Sequence, residues 1–307
     1  MTKITVAVHG LGNIGRHVVD CLSVAPDMEC LGVIRRPASI GKKNLDLKGL
    51  PDFGSFDDLV AHKGKPRVVI LCGPSRSVPG DAEFYLGKGV CTVDSFDIHT
   101  EIPTLCNTLD SVAKKNAVAS ICAAGWDPGT DSVLRALFEA MTPAGTTFTN
   151  FGRGRSMGHS VAARAIDGVA DATSITIPIG GGRHARLVYV LPQNGASFES
   201  IKAALAKDPY FAHDPLDVRE VKTPEDMALV ADNSHGVLME RIGASGTVSN
   251  QRLSFDMRID NPALTAQVLV SCSRAVTRMP SGCHTLIDVP PVALLPGDRM
   301  EHIKRFV

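Results

Sequence analysis

Three carboxylates are placed in this sequence where they could act on one bound molecule. Asp94 and Asp97 fall within Val93-Asp94-Ser95-Phe96-Asp97-Ile98-His99, and Asp127 within Gly125-Trp126-Asp127-Pro128-Gly129; each group follows a short apolar run. If those runs are strands of one parallel sheet, the carboxylates emerge at its carboxyl ends, where ligands bind. Carboxylates there can hold an ammonium group, take up its proton, and stabilise the iminium charge that develops when hydride leaves the adjoining carbon. Asp127 also has a plainer reading, as a turn residue ahead of proline.

Hydride chemistry needs an acceptor, and the N-terminal stretch supplies a place for one. Gly10-Leu11-Gly12-Asn13-Ile14-Gly15 sits between the apolar run Ile4 to Val8 and the helix-patterned Arg16 to Leu22. A strand, a G-x-G-x-x-G turn and a helix together seat a pyrophosphate over the helix N-terminus. Gly10 permits the sharp turn, Gly12 lets backbone approach phosphate, Gly15 lets helix and strand pack closely, and Asn13 and Ile14 form the first turn. About twenty residues further on, an NAD site usually carries an acidic residue for the ribose hydroxyls. Here the second strand, Glu29 to Ile34, ends instead in Arg35-Arg36, with no carboxylate adjoining. Two guanidinium groups suit a 2′-phosphate, so NADP is the expected cofactor. A further apolar strand, Arg67 to Leu71, runs into Cys72-Gly73-Pro74-Ser75, which is expected to edge the same cofactor.

The elements that must position these groups alternate. Val90 to Val93 and Ala117 to Cys122 read as further buried strands, with helical spacing between strands, as from Thr108 to Ala117. Such alternation gives an α/β fold, with a Rossmann-type doubly wound parallel sheet over residues 1–125. Thr130 to Met141 reads as a helix with Thr130 as N-cap and Val133, Leu134, Leu137, Phe138 and Met141 as its buried stripe. From about residue 145 the pattern changes. Leu253, Phe255, Met257 and Ile259 alternate with polar residues as in a half-buried strand, and Thr173 to Pro178 and Arg186 to Leu191 are extended. Residues 126–280, including a helix from Pro262 to Met279, are read as an α+β domain for substrate binding and dimerisation. Residues 281–307 are read as a segment returning to the first domain.

The 307 residues are 44% hydrophobic and 21% charged, with 32 basic and 32 acidic side chains, so nothing argues for nucleic acid or a disordered acidic tail. Small molecules and a second copy of the chain are the expected partners. Eight cysteines are scattered singly without a C-x-x-C pair, as expected of reduced thiols in a cytoplasm, and no metal site is expected. No signal peptide and no apolar run of about 18 residues is evident, so a membrane location is not expected.

Taken in order, Thr92 to His99, Gly125 to Gly129, Gly152 to Ser160 with its Ser156-Met157-Gly158-His159-Ser160, Asp260-Asn261-Pro262 and the Leu294-Leu295-Pro296 tail resemble meso-diaminopimelate dehydrogenase over nearly the whole chain. The resemblance implies a homodimeric NADP-dependent enzyme of lysine and cell-wall precursor metabolism. It would oxidatively and reversibly deaminate the D-centre of meso-2,6-diaminopimelate to L-2-amino-6-oxopimelate and ammonia. By resemblance, Asp97 and Asp127 bind the D-centre amine, and Asp94 supports proton transfer. Met157 and Gly158 belong to the loop around that centre, and Phe151 is an aromatic wall; by spacing alone Phe151 and Met157 read as core. Thr176, Arg186 and His235 match binders of the distant carboxylate, and Asn261 a contact to the L-amine. The connection from Thr176 to Arg186 through Gly180-Gly181-Gly182 is short for the family, as in a variant that also aminates 2-keto acids to D-amino acids. The sequence features also fit an aspartate- or homoserine-type NADP dehydrogenase, or a non-catalytic NADP sensor.

Overall fold

The computed structural model describes residues 3–40, 47–230 and 234–307. The chain divides into two compact units: one takes in the chain to Ala136 together with Pro262–Val307, the other Leu137–Asn261. Along the first stretch run β1 (Ile4–His9), α1 (Asn13–Val24), β2 (Met28–Ile34), β3 (Asp52–Phe53), α2 (Phe56–Lys63), β4 (Val68–Leu71), α3 (Val78–Gly87), β5 (Cys91–Asp94), α4 (Ile102–Lys115), β6 (Ala119–Ile121) and α5 (Thr130–Met141). Next come β7 (Ala144–Phe151), β8 (Gly154–Arg155), α6 (Met157–Arg164), β9 (Val169–Pro178), β10 (His184–Pro192), α7 (Phe198–Lys207), β11 (Leu216–Glu220), α8 (Pro224–Val230), β12 (Ser234–Ser245) and β13 (Val248–Asp260). The chain closes with α9 (Asn261–Val276), β14 (Gly282–His284) and α10 (Arg299–Phe306).

The first unit is built on a seven-stranded sheet in the order β14-β6-β5-β4-β1-β2-β3, every pairing parallel. All four residues of β4 are buried, as are Val6, Ala7 and Val8 of β1, because helices cover both faces and leave no position to alternate toward water. The strand order reverses between β1 and β4. Their carboxyl ends, Gly10 on one side and Cys72 on the other, therefore flank the crevice in which such sheets bind ligands.

Helix α9 is buried on nearly every side, and Ala266, Leu269, Val270 and Cys272 belong to the same core as Val6, Val8 and Ile70. Its buried Arg274 also pairs with Asp27, at 2.7 Å, ahead of β2. It therefore belongs with the parallel sheet, and the second unit ends at Asn261 rather than at residue 280 as the sequence reading placed it. The stripe expected on α5 is also corrected. Leu137 and Met141 are half exposed, while Asp131 and Phe138, seven residues apart on one face, are buried. The Thr130 hydroxyl donates to the carbonyl of Trp126.

In the second unit a four-stranded sheet runs β11-β10-β9-β8 and a three-stranded one β13-β12-β7. In the first, β10 pairs with β9 antiparallel and with β11 in parallel, because α7 forms the crossover between β10 and β11. Helices α6 and α7 contribute Ala163, Ile201 and Leu205 to a core with Ala172, Val188 and Val190 of β9 and β10. Along β13, half-buried Leu253, Phe255, Met257 and Ile259 alternate with exposed neighbours. Among the described residues no helix is long and apolar enough to cross a membrane.

Candidate active site

The glycine turn is held by packing that tolerates no side chain at two of its positions. Gly10 has φ +94°, and a Cβ there would lie 3.0 Å from the Cys72 carbonyl; a Cβ on Gly15 would collide with the Gly10 carbonyl oxygen. Gly12 is different, since a Cβ would meet nothing within 4 Å. It precedes α1 without any side-chain cap, so the first-turn amides face open space. Gly10, Gly12, Asn13, Ile14, Arg35, Arg36, Cys72, Gly73 and Pro74 all border one groove of about 760 Å³. The groove has the shape and the helix terminus that a dinucleotide phosphate requires. Gly15 lies beneath it, as its packing role demands, and Ser75 is turned elsewhere.

The arginine pair is not equivalent. Arg35 is buried, and its guanidinium donates to Asp52 at 2.8 Å, whereas Arg36 is exposed. The sequence reading saw no carboxylate near this pair. Asp52 supplies one because β3 docks in parallel beside β2 with Asp52 opposite Val33. Arg36 is thus the cation not bound into that ion pair. The groove also includes His9, Ser39, Ser77 and Asp81, which sequence spacing did not single out. Burial holds the His9 imidazole below its ordinary pKa, with the Asp81 carboxylate pulling the other way.

The three predicted carboxylates have three different surroundings. Ser75 donates to Asp97 at 2.6 Å, so the loop after β4 orients an exposed carboxylate that the loop after β5 carries. Asp94 has no exposed surface. One of its oxygens accepts from the amides of Phe96 and Ala123, each at 3.0 Å, and its carbonyl accepts from Ala124 at 2.8 Å. Burial pushes this carboxyl up to about 6 despite those two amides. Asp94 therefore ties the end of β5 to the end of β6.

Asp127 belongs to a cluster that the sequence reading missed. Arg135 lies 3.6 Å from Asp127 and 2.7 Å from Asp131, whose side chain is fully buried. Burial, and then the neighbouring Asp127 carboxyl, push Asp131 up to about 7, with the Arg135 charge opposing. A carboxyl raised to about 7 can take up or release a proton near neutrality. The signal was present in the sequence as Asp127, Asp131 and Arg135 at four-residue intervals running into a helix.

In the second unit Thr176 and Arg186 are directly opposed across β9 and β10. The Arg186 guanidinium donates to the Thr176 hydroxyl through one nitrogen and to Asp214, at 2.6 Å, through another. A cavity of about 920 Å³ in this unit is lined by Ile175, Ile177, Ala185, Arg186, Leu187 and Tyr189. Alternation along a strand turns the Arg186 and Thr176 side chains to the face opposite that of Leu187 and Ile177. There the charges of Arg186 and Asp214 act on His159 of α6, which burial chiefly holds below its ordinary pKa and whose Nδ1 lies 2.8 Å from the Ser156 hydroxyl. His159 and Asp214 were not singled out from sequence, although the Ser156–Ser160 motif contains the first.

The other predicted contacts are spread over the second unit. Phe151 pairs with Val237 at the end of β7, and His235 lies on β12, its Nδ1 accepting from the Gly236 amide at 2.7 Å. Met157 and Gly158 open α6, and their surroundings lie outside what is described. Asn261 is exposed at the start of α9.

The chain is similar to known proteins over its full length. The sequence model described as diaminopimelic acid dehydrogenase C-terminal domain matches residues 125–182. Among solved structures, the diaminopimelate dehydrogenase of C. glutamicum in complex with diaminopimelate superposes with a TM-score of 0.75 at 29% identity, covering 100% of both chains. An engineered D-amino acid dehydrogenase bound to NADP+ superposes with a TM-score of 0.71 at 28% identity, again covering 100% of both. The meso-diaminopimelate D-dehydrogenase of Bacteroides fragilis is 48% identical over 307 residues, the full length of each chain. With the parallel sheet, the glycine turn and the acidic strand ends in place, a likeness of that extent shows that the chain belongs to the meso-diaminopimelate D-dehydrogenase family.

Proposed function

We propose that this protein catalyses the reversible, NADP-dependent oxidative deamination of the D-centre of meso-2,6-diaminopimelate, giving L-2-amino-6-oxopimelate and ammonia. The observation that carries the reading is the Ser75–Asp97 contact, which joins a loop bordering the dinucleotide groove to a carboxylate able to receive an ammonium group. NADP fits the residues present: open space over Gly12 for phosphate, and exposed Arg36 for the 2′-phosphate. When bound, NADP accepts the hydride.

The chain's own residues deal with the amine and the proton. An α-carbon releases hydride productively only when its nitrogen is neutral and can donate its lone pair. Asp97 and Asp127 receive the substrate ammonium, and the Asp127–Asp131 pair takes its proton, with Arg135 keeping the pair from becoming too basic. The same carboxylates stabilise the positive charge left when hydride departs, and water then adds to the imine carbon and expels ammonia. Asp94 positions both strand ends. Phe151, Met157 and Gly158 are read as surrounding the D-centre, Thr176, Arg186 and His235 as holding the distant carboxylate, and Asn261 as contacting the L-amine. Arg186, already aligned by Thr176 and Asp214, is a preformed fork for such a group.

Exposed Leu229 and Val248 on the second unit support a homodimer, and eight unbridged cysteines support a reducing cytoplasm. The test is NADP reduction by purified protein with each stereoisomer of diaminopimelate. Reduction with the meso form, and none with the LL form, is expected. Failure with meso, or equal rates with LL, would overturn the reading. The short Gly180–Gly182 turn between β9 and β10 supports an additional reductive amination of 2-keto acids, which an NADPH oxidation assay with ammonia reads directly.

A further inference from the structure

Three of the eight cysteines, far apart in sequence, converge at one edge of the parallel sheet. Cys106 lies on α4, Cys122 just past the end of β6, and Cys283 in the middle of β14. Their sulfurs all lie within 4.8 Å of one another, with Cys122 and Cys283 3.5 Å apart. The scaffold fixes them: β14 pairs with β6 in parallel, the Cys122 amide donates to the His284 carbonyl at 2.9 Å, and the Cys283 amide donates to Asp110 of α4 at 3.1 Å. Cys122 is buried, while Cys106 and Cys283 are partly exposed, which leaves an approach from solvent.

We propose that Cys106, Cys122 and Cys283 form a three-thiolate binding site for a soft d10 metal cation, of the Cu(I) or Cd(II) class, distinct from the residues that handle NADP and the amino acid. Metal–sulfur bonds of about 2.3 Å place three sulfurs around one cation roughly 4 Å apart, so closure requires only side-chain adjustments. An all-sulfur set of three selects thiophilic cations over the magnesium or calcium class, which demand oxygen ligands. Binding forms three metal–sulfur bonds, breaks the S–H bonds of those thiols that carry a proton and releases these protons to solvent.

The probe is Cd(II) added to the full-length protein after chelator treatment under reductant. The expected result is a thiolate-to-cadmium charge-transfer band that saturates at one equivalent, with release of protons in weakly buffered solution near pH 7.5. Cys106→Ser and Cys283→Ser should each weaken binding by at least about 100-fold, whereas Cys21→Ser, outside the cluster, should not. Circular dichroism establishes that the variants are folded; the proton release by the unmutated protein stands without them. Absence of a saturating one-equivalent band, release of no protons, or a band unchanged in both folded variants would overturn the proposal.

Discussion

The substitution Asp94→Asn separates a structural carboxylate from a proton-transferring one. In the native protein the group is raised from 3.8 to about 6 by burial, so the folded state holds the proton more tightly than the unfolded state. Its contribution to stability is then greatest below pH 3.8, declines as pH rises toward 6, and is level above that value. A shift of that size, at 1.36 kcal/mol per pH unit, amounts to about 3 kcal/mol. Asparagine cannot ionise, yet its carbonyl oxygen can still accept from the Phe96 and Ala123 amides. Relative to the unmutated protein, the variant should therefore gain about 3 kcal/mol between roughly pH 4 and pH 8. Urea unfolding across that range measures the gap, followed by the fluorescence of Trp126, the only tryptophan. Asp131 titrates over an overlapping range in both proteins and cancels in the difference. Turnover with meso-diaminopimelate should stay within about threefold, because the carboxylate has no exposed surface. A stability gap independent of pH would refute the burial argument. A fall in kcat of about 100-fold in a folded variant would refute the positioning role and return Asp94 to proton transfer.

Asp97→Asn should lower kcat by about 100-fold or more while leaving the KM for NADP within about threefold, since the group acts on the amine; steady-state kinetics with each substrate varied in turn reads both. Asp131→Asn should remove the ionisation near pH 7 below which deamination slows, because protonation of the Asp127–Asp131 pair fills the site that must accept the substrate's proton; the kcat/KM profile against pH shows whether that limb persists. Arg36→Ala should raise the KM for NADP by about tenfold with little change for NAD, whereas Arg35→Ala, by leaving Asp52 unpaired, should in addition destabilise the fold by about 2 kcal/mol, a difference seen in chemical denaturation. Gly15→Ala should abolish tight NADP binding, measured by fluorescence titration, because the new Cβ collides with the carbonyl of Gly10 and forces α1 off the strand.

What could be read from the sequence is what depends on neighbours along the chain. The glycine turn, the buried strands and the alternation in β13 follow from the order of residues over a few turns or pleats, and so do the acidic strand ends. The partners of those groups depend on topology. Asp52 reaches Arg35 only because β3 closes the edge of the sheet beside β2, and neither the pairing nor its register is written near Arg35. Cys283 meets Cys122 only because β14, arriving after the whole second unit, adds to β6. The Asp127–Asp131–Arg135 ladder is the contrary case: its spacing was local and visible, but the apolar positions of α5 were taken as its buried face. A buried carboxylate is so costly that it is excluded from that face unless a partner compensates it. Here Arg135, 2.7 Å from Asp131, compensates it, and the departure from the hydrophobic pattern itself marks the residue to which the proposed function gives a part in proton uptake.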